Sequence, residues 1–272
     1  GKTRMNLTFD RDGIKFYFKD EGNGVPFVYQ HGLGEDITQP FSFFAGGHRG
    51  IRLLSLDCRA HGQTRPLGPA DKIGISTFAD DVVAFMDIRK LDTAVVGGIS
   101  MGAAVALNIA LRYPARINAL ILQRPAWLGQ PMPDNLRVLV TIGNLIREHG
   151  AQRGKEVFKT LPEYAALEKE SPDAAASNLA QFDHPRAEET AIKLLRIPNE
   201  TPCAGGEWKK LKAPTLVIAN RVDAIHPYAY AEQLAREIPG AKFAEVTPKS
   251  MSVERHTSDV RAKIDDFILG LP

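Results

Sequence analysis

Cysteine is scarce in this chain, with only Cys58 and Cys203 among 272 residues. Two cysteines cannot build a disulfide framework, and they do not form a C-x-x-C pair. We therefore expect two reduced thiols, as in a cytoplasmic protein. The charged start of the sequence, GKTRMNLTFDRDG, leads into no apolar run, so no secretory signal peptide is predicted.

Long apolar runs and an excess of charge of one sign are also absent. No window approaches the ~20 apolar residues that a membrane-spanning helix requires. The 34 Lys and Arg residues are nearly balanced by 32 Asp and Glu residues, which gives a formal net charge of +2. Such a balance offers no electrostatic basis for binding nucleic acid or a membrane surface. We expect a small-molecule substrate as the partner, and a monomer or a homodimer.

Motifs for nucleotides and metals are missing as well. The segment GGISMG has isoleucine at the middle glycine position of G-x-G-x-x-G, which argues against a dinucleotide-binding fold. GxxxxGK[ST], H-E-x-x-H and paired C-x-x-C motifs do not occur. We therefore expect neither a cofactor nor a metal.

The chain does contain short, β-branched apolar runs that alternate with helical segments. Eight strands are predicted, over 5–9, 14–18, 25–30, 51–57, 93–98, 117–123, 215–220 and 241–246. Helices are predicted over 76–90, 100–114, 228–240 and 256–270. A repeated strand-then-helix order is typical of right-handed βαβ crossovers and a mostly parallel sheet.

The interval 128–212 breaks this rhythm, because it contains no convincing strand pattern. Four amphipathic helical patterns, separated by joints with proline or glycine, occupy it instead. We interpret residues 128–212 as a helical cap inserted into a core domain made of 1–127 and 213–272.

The segment Gly98-Ile99-Ser100-Met101-Gly102 matches G-x-S-x-G. The pattern alone is weak, since roughly one chain in ten of this length would match by chance at average residue usage. Here, however, it follows a predicted strand and opens a predicted helix, which is the context of a nucleophile elbow. A helix N-terminus also favours negative charge beside the hydroxyl. The alternative is that Ser100 only caps the helix.

A nucleophilic serine needs a base, and the base needs an orienting carboxylate. Asp223 follows the predicted strand 215–220, where parallel sheets carry their sites. His256 lies after the last predicted strand, in the expected order Ser…Asp…His. The alternatives are a solvated loop acid and a surface histidine. His226 is interpreted as a loop residue beside the acid.

A tetrahedral oxyanion also needs donors, and the glycine-rich HGLG turn at 31–34 follows a strand. We predict the donors to be the backbone N–H groups of Leu33 and of Met101, the residue after the nucleophile. His31 is either structural, with a ring nitrogen bonded to the loop backbone, or part of the site. The structural role is the favoured one.

These segments together resemble the landmarks of the α/β-hydrolase superfamily. They are HGLG (31–34), DCRAHGQT (57–64), GISMG (98–102), NRVDAIHP (220–227) and ERHTSDV (254–260). The resemblance implies a mostly parallel eight-stranded sheet with helices on both faces and a cap after the sixth strand. It also implies a triad of Ser100, Asp223 and His256. Arg255 departs from the pattern, since the family often has glycine directly before the histidine.

A serine at the elbow argues against the branches with an aspartate nucleophile, the haloalkane dehalogenases and epoxide hydrolases. The HGLG turn and the cap length are similar to those of small esterases and enol-lactonases. The sequence thus predicts a hydrolase for a small carboxylic ester or lactone. A carbon–carbon bond hydrolase, a cofactor-free peroxidase and a weakly catalytic small-molecule receptor are the alternatives.

Candidates for the substrate pocket come from the cap, its entrance and the HGLG turn. They are His31, Trp127, Met132 and Phe182. Arg124, Arg137 and His184 are candidates for binding a substrate carboxylate, although such residues are more often solvated or paired.

Overall fold

The computed structural model describes residues 7–272. Its eight strands form one sheet in the order β1-β2-β4-β3-β5-β6-β7-β8. The first two strands pair antiparallel to their neighbours, and β3 to β8 are parallel. The strands are β1 Leu7–Arg11, β2 Ile14–Glu21, β3 Val25–Gln30, β4 Ile51–Leu56, β5 Ala94–Ile99, β6 Ile117–Gln123, β7 Thr215–Ala219 and β8 Lys242–Glu245. All eight predicted strands are confirmed, although residues 5 and 6 of the first lie outside the described residues.

The helices alternate with the strands as the βα pattern predicts. They are α1 Thr38–Ser42, α2 Ile75–Ile88, α3 Met101–Arg112, α4 Arg137–His149, α5 Ala151–Thr160, α6 Pro162–Glu170, α7 Pro172–Leu179, α8 Ala187–Thr190, α9 Ile192–Arg196, α10 Tyr228–Glu237 and α11 Val253–Leu269. The last helix begins three residues earlier than predicted. Among residues 7–272, no helix combines the length and apolarity needed to cross a membrane.

Apolar side chains on both faces of the sheet explain why its central strands are continuous hydrophobic runs. Along β3, Val28 packs into the core on one face, whereas Phe27 and Tyr29 pack into the core on the other. Helices α2, α3 and α10 cover the Val28 face, and α11 covers the opposite one. Helices on both faces are what a mostly parallel sheet requires.

Residues 128–212, all of which the structure describes, form helices and no strand. This stretch, called the cap below, joins β6 to β7. Its apolar side chains, including Ile142, Phe158 and Leu194, belong to the same cluster as the α2 and α3 face of the core. A polar clamp adds to this packing, since Arg186 Nη1 donates to the carbonyls of Gly62 (2.7 Å) and Thr64 (2.9 Å).

Candidate active site

Ser100 lies at the sharp corner between β5 and α3. Its backbone has φ 57° and ψ −110°, a region that a residue with a side chain seldom adopts. A Cβ on Gly98 would lie 2.1 Å from the carbonyl carbon of Gly102, and a Cβ on Gly102 would lie 2.2 Å from the Gln30 carbonyl oxygen. The two glycines are therefore required sterically, and the corner presents the serine side chain above the sheet.

The Ser100 hydroxyl meets His226. The distance from His226 Nε2 to Ser100 Oγ is 2.8 Å. The other ring nitrogen of His226, Nδ1, lies 3.0 Å from each carboxylate oxygen of Asp223. Since Nδ1 faces a carboxylate it carries the proton, and Nε2 is left to accept from the serine. Serine, histidine and aspartate thus form one hydrogen-bonded chain.

The loop after β7 holds the acid and this histidine together. The backbone N–H groups of Ile225 and His226 donate to Asp223 Oδ1 at 3.2 and 3.0 Å. The Asp223 side chain therefore bonds to the backbone of its own loop two and three residues further on, as in an Asx turn. That turn brings the His226 ring onto the side chain of Asp223.

His256 does not reach the serine, so the predicted contact is wrong. It is fully buried in the first turn of α11, and its Nδ1 lies 2.9 Å from the Thr247 carbonyl oxygen. Its Nε2 has no hydrogen-bond partner among residues 7–272. Burial lowers the pKa of His256 to about 4.

The start of α11 explains this displacement. The Ser252 hydroxyl accepts a hydrogen bond from the Arg255 N–H at 3.1 Å and so caps the helix ahead of His256. The predicted helix began only at residue 256, which left the histidine at the border between the loop after β8 and the helix. Inside the helix, the ring packs near Phe43, with 6.2 Å between ring centroids.

Both histidines satisfy the order Ser…Asp…His, so chain order alone did not separate them. The resemblance to the α/β-hydrolase superfamily favoured His256, which follows the last strand. The signal in favour of His226 was its spacing, three positions after Asp223 in the same loop.

Arg124, which follows β6, forms an ion pair with Asp223 through Oδ2. Its Nε and Nη2 donate to Asp223 Oδ2 at 2.9 and 2.8 Å. Burial raises the pKa of Asp223, but the charge of Arg124 and the contacts with His226 outweigh burial and hold that pKa well below its usual range. Asp223 is therefore ionised, and the Arg124 guanidinium is paired with it.

The other candidate carboxylate binders do not line the cavity beside Ser100. Arg137 pairs with Asp134 at the surface, at 2.8 Å. His184 is partly buried, and burial lowers its pKa.

Burial lowers the pKa of His226 as well. The carboxylate of Asp223 acts in the opposite direction, while the positive charges of Arg124 and Lys249 add to the lowering. The net result is a pKa below the usual value of histidine. His226 is therefore neutral at neutral pH, which is the state that accepts a proton from serine.

The predicted oxyanion donors lie on two different elements, the start of α3 and the turn after β3. Met101 is the first residue of α3, and the first N–H groups of a helix have no acceptor within it. Leu33 lies in the turn after β3, and its carbonyl accepts from Gln181 Nε2 at 3.0 Å. Gln39 Oε1 accepts from the Gly32 N–H at 2.7 Å. The turn is thus fixed from two sides, one of them the cap.

His31 stabilises this turn through hydrogen bonds between its ring and the backbone. Its Nδ1 lies 2.7 Å from the Gly32 carbonyl oxygen, and its Nε2 accepts from the Cys58 N–H at 3.1 Å. The ring is fully buried, and burial lowers its pKa to about 4. Both ring nitrogens bond to backbone, which is the structural arrangement favoured from the sequence.

A cavity of about 70 Å³ opens beside Ser100 and His226. It is bounded by Gly32, Leu33, Glu35, Gln39, Ile99, Arg124, Leu139, Asp173, Ala174, Ser177, Asn178, Gln181, Ile225 and Lys249. A larger groove of about 610 Å³ runs between the cap and the loop after β7, and Ile225 lines both spaces. Among residues 7–272, no group of three or more His, Cys, Asp or Glu side chains is placed to hold a metal.

The predicted pocket residues lie elsewhere. Trp127 packs against α3 and lines a separate small cavity. Met132 lines the larger groove. Phe182 packs on Phe158 in the cap, with ring centroids 5.6 Å apart. The large apolar side chains pack the cap onto the core, and mostly polar side chains face the serine.

Comparison with known proteins decides the family. The family model described as alpha/beta hydrolase fold matches residues 25–250. The chain belongs to the α/β-hydrolase fold family. The AB hydrolase superfamily protein YisY of Bacillus subtilis (strain 168) is 27% identical over 277 residues, which cover 94% of each chain.

Two further relatives of this α/β hydrolase differ in the reactions that their names describe. A 2-hydroxy-6-oxononadienedioate/2-hydroxy-6-oxononatrienedioate hydrolase of Burkholderia vietnamiensis (strain G4 / LMG 22486) is 26% identical, covering 87% of this chain and 84% of the relative. The crystal structure of the enol-lactonase from Burkholderia xenovorans LB400 superposes with a TM-score of 0.76 at 23% identity, covering 97% of this chain and 100% of that one.

Proposed function

We propose that this α/β hydrolase cleaves a small carboxylic ester or lactone through an acyl-enzyme on Ser100. The observation that carries the proposal is the 2.8 Å contact of His226 Nε2 with Ser100 Oγ, with Asp223 on the other ring nitrogen. Nucleophile, base and orienting acid are the three parts that serine acyl transfer needs.

In the acylation step, Ser100 Oγ attacks the ester carbonyl carbon and His226 Nε2 takes the serine proton. The carbonyl oxygen becomes an oxyanion, which the N–H groups of Leu33 and Met101 stabilise. The tetrahedral intermediate then collapses, and the imidazolium of His226 returns the proton to the departing alkoxide. An ester releases an alcohol at this stage, whereas a lactone keeps its new hydroxyl on the acyl chain.

In the deacylation step, His226 takes a proton from water, and the resulting hydroxide attacks the acyl carbon. A second oxyanion forms in the same place, and Ser100 leaves with the proton returned by His226. Asp223 keeps the ring in the tautomer that both steps require and stabilises the imidazolium. Its ionised state, maintained by Arg124, suits that role.

The small cavity supports a short acyl chain. A volume of about 70 Å³ has room for roughly five water-sized groups. Ester or lactone cleavage is also the reaction that two neighbouring structures are named for, an enol-lactonase at 23% identity and an esterase at 24%.

The test is stopped-flow hydrolysis of p-nitrophenyl acetate and of a medium-chain p-nitrophenyl ester, with wild type beside Ser100→Ala. We expect a burst of p-nitrophenol and an acyl adduct on the Ser100 peptide by mass spectrometry, with the acetate preferred. Both signals should vanish in the variant. Equal hydrolysis by the two proteins, or no adduct, would refute the proposal.

Carbon–carbon bond hydrolysis is the second candidate, and the 26% identical dienedioate hydrolase favours it. A 2-hydroxy-6-oxodienoate substrate distinguishes the two reactions. Turnover of this substrate at a kcat/KM well above that for p-nitrophenyl acetate would assign the enzyme to carbon–carbon cleavage. The reverse order would assign it to esters.

A further inference from the structure

Four charged side chains line the Ser100 cavity, namely Glu35, Arg124, Asp173 and Lys249. Two of them already have partners. Arg124 Nη2 lies 2.8 Å from Asp223 and 3.9 Å from Asp173. Asp173 also accepts a hydrogen bond from the Ser250 hydroxyl. Arg124 and Asp173 thus already interact with other side chains of the protein.

Lys249 is the cation in this wall that has no such partner. It follows β8, is half-buried, and makes no ion pair or hydrogen bond within the part of the chain that the structure describes. Burial and the like charge of Arg124 lower the pKa of Lys249, whereas the charges of Asp173, Glu35 and Asp223 act in the opposite direction from beyond ion-pair distance. A partly desolvated ammonium without a carboxylate in ion-pair contact is unfavourable, so an anion placed beside it would be stabilised.

Glu35 is the remaining acid of the wall, and it does not neutralise Lys249 by contact. Its carboxyl makes no ion pair or hydrogen bond among residues 7–272. Burial raises the pKa of Glu35, although the charge of Lys249 acts against this. Burial thus favours the protonated form of this carboxyl, and that form is a hydrogen-bond donor to an anion.

We infer that Lys249 forms a carboxylate subsite in the Ser100 cavity. The substrate is then an ester or lactone whose short acyl chain carries a carboxylate. Its scissile carbonyl lies at Ser100 and its carboxylate at Lys249, within one cavity of about 70 Å³. This inference rests on the proposed function for the chemistry at Ser100, but the subsite itself is a matter of binding.

A binding experiment therefore tests the subsite without turnover. Monomethyl succinate and methyl succinamate have the same shape and differ by a carboxylate in place of a carboxamide. Isothermal titration calorimetry measures both ligands against Ser100→Ala, which does not consume them. Because a charge-assisted hydrogen bond is a strong one, we expect monomethyl succinate to bind about tenfold tighter or more.

Three further variants in the Ser100→Ala background locate the effect. Lys249→Met should remove the preference for the carboxylate and leave succinamate binding unchanged, which also shows that the variant is folded. Lys249→Arg should keep the preference. Lys242→Met removes the same charge from an exposed position in β8 and should behave like the parent.

Equal affinity for the two ligands, or no binding of either, would overturn the subsite. A preference that survives Lys249→Met would overturn it too. These outcomes leave the proposed function in place as long as wild type shows the Ser100-dependent burst. Conversely, loss of the burst with a Lys249-dependent preference would reject the ester chemistry and keep the subsite.

Discussion

Asp223 and His226 lie three positions apart on one loop after β7, with 3.0 Å between His226 Nδ1 and each carboxylate oxygen. The same histidine reaches Ser100 at the end of β5, two strands away in the sheet. The proposed acid and base are thus placed by one short turn, and their relative position does not depend on β8 or α11.

The first prediction concerns which histidine is the base. His226→Gln should lower kcat/KM for p-nitrophenyl acetate by about 10³-fold or more, because the serine loses its proton acceptor. His256→Gln is the matched control and should change kcat/KM by less than about fivefold, with circular dichroism showing that both variants are folded. A large loss in His256→Gln alone would return the role to His256.

The second prediction concerns pH. His226 must be neutral to accept the serine proton, so activity should fall as pH drops through its pKa, which lies below the usual 6.5. The groups that act on this ring are Asp223, Arg124 and Lys249. Removing a nearby positive charge makes the imidazolium more favourable, which raises the pKa.

Arg124→Gln should therefore move the acid limb of the kcat/KM profile to higher pH, by about one pH unit. Arg137→Gln, which removes a surface guanidinium paired with Asp134, is the control and should leave the limb in place. An acid limb that moves to lower pH in Arg124→Gln would contradict this electrostatic account.

The third prediction concerns the elbow. Gly102→Ala places a Cβ 2.2 Å from the Gln30 carbonyl oxygen, which forces backbone to move. We expect a loss of about 3 kcal/mol in the free energy of unfolding, measured by urea denaturation. Gly205→Ala is the control, because a Cβ there meets nothing within 4 Å. Equal stability of the two variants would show that the corner relaxes easily.

The fourth prediction concerns two cap residues that hold the loop after β7. Asn135 Nδ2 donates to the Ile225 carbonyl at 2.7 Å, and Ser171 Oγ accepts from the Ala224 N–H at 2.7 Å. Asn135→Ala should lower kcat for p-nitrophenyl acetate about tenfold, because one hydrogen bond of the base loop is lost.

The Michaelis constant for that ester should change little in Asn135→Ala, since Asn135 lies outside the Ser100 cavity. Asn199→Ala is the matched control, because Asn199 donates to the Leu195 carbonyl on the cap surface, away from the loop. A change in KM with kcat intact would show that Asn135 binds substrate and does not position His226.

Most of the fold could be predicted from the sequence because its strands are short apolar runs buried on both faces. The run AVVGGI of β5, for example, is fully buried. Ser100 and Asp223 were predictable for a related reason, since each closely follows such a run. His256 was not, because its place depends on where α11 begins, and the single Ser252 cap decides that.

The pocket residues were the least predictable part of the site. Trp127 and Phe182 have the apolar character expected of a pocket, but they pack the cap onto the core. Lys249 and Glu35 show no sequence pattern, and their common cavity exists only once the loops after β3 and β8 fold together. Contacts between segments far apart in the chain carry no local signal.

The acid–base turn after β7 has a consequence for how the chain can be rearranged. The proposed nucleophile Ser100, the Arg124 guanidinium and the turn that holds Asp223 and His226 come from the ends of β5, β6 and β7, which are adjacent in the sheet. The chain that follows the turn at Gly240 adds one edge strand, one helix and Lys249. A circularly permuted chain opened at Gly240 would therefore keep these groups in one uninterrupted stretch, and the C-terminal part would influence the pKa of His226 through the charge of Lys249.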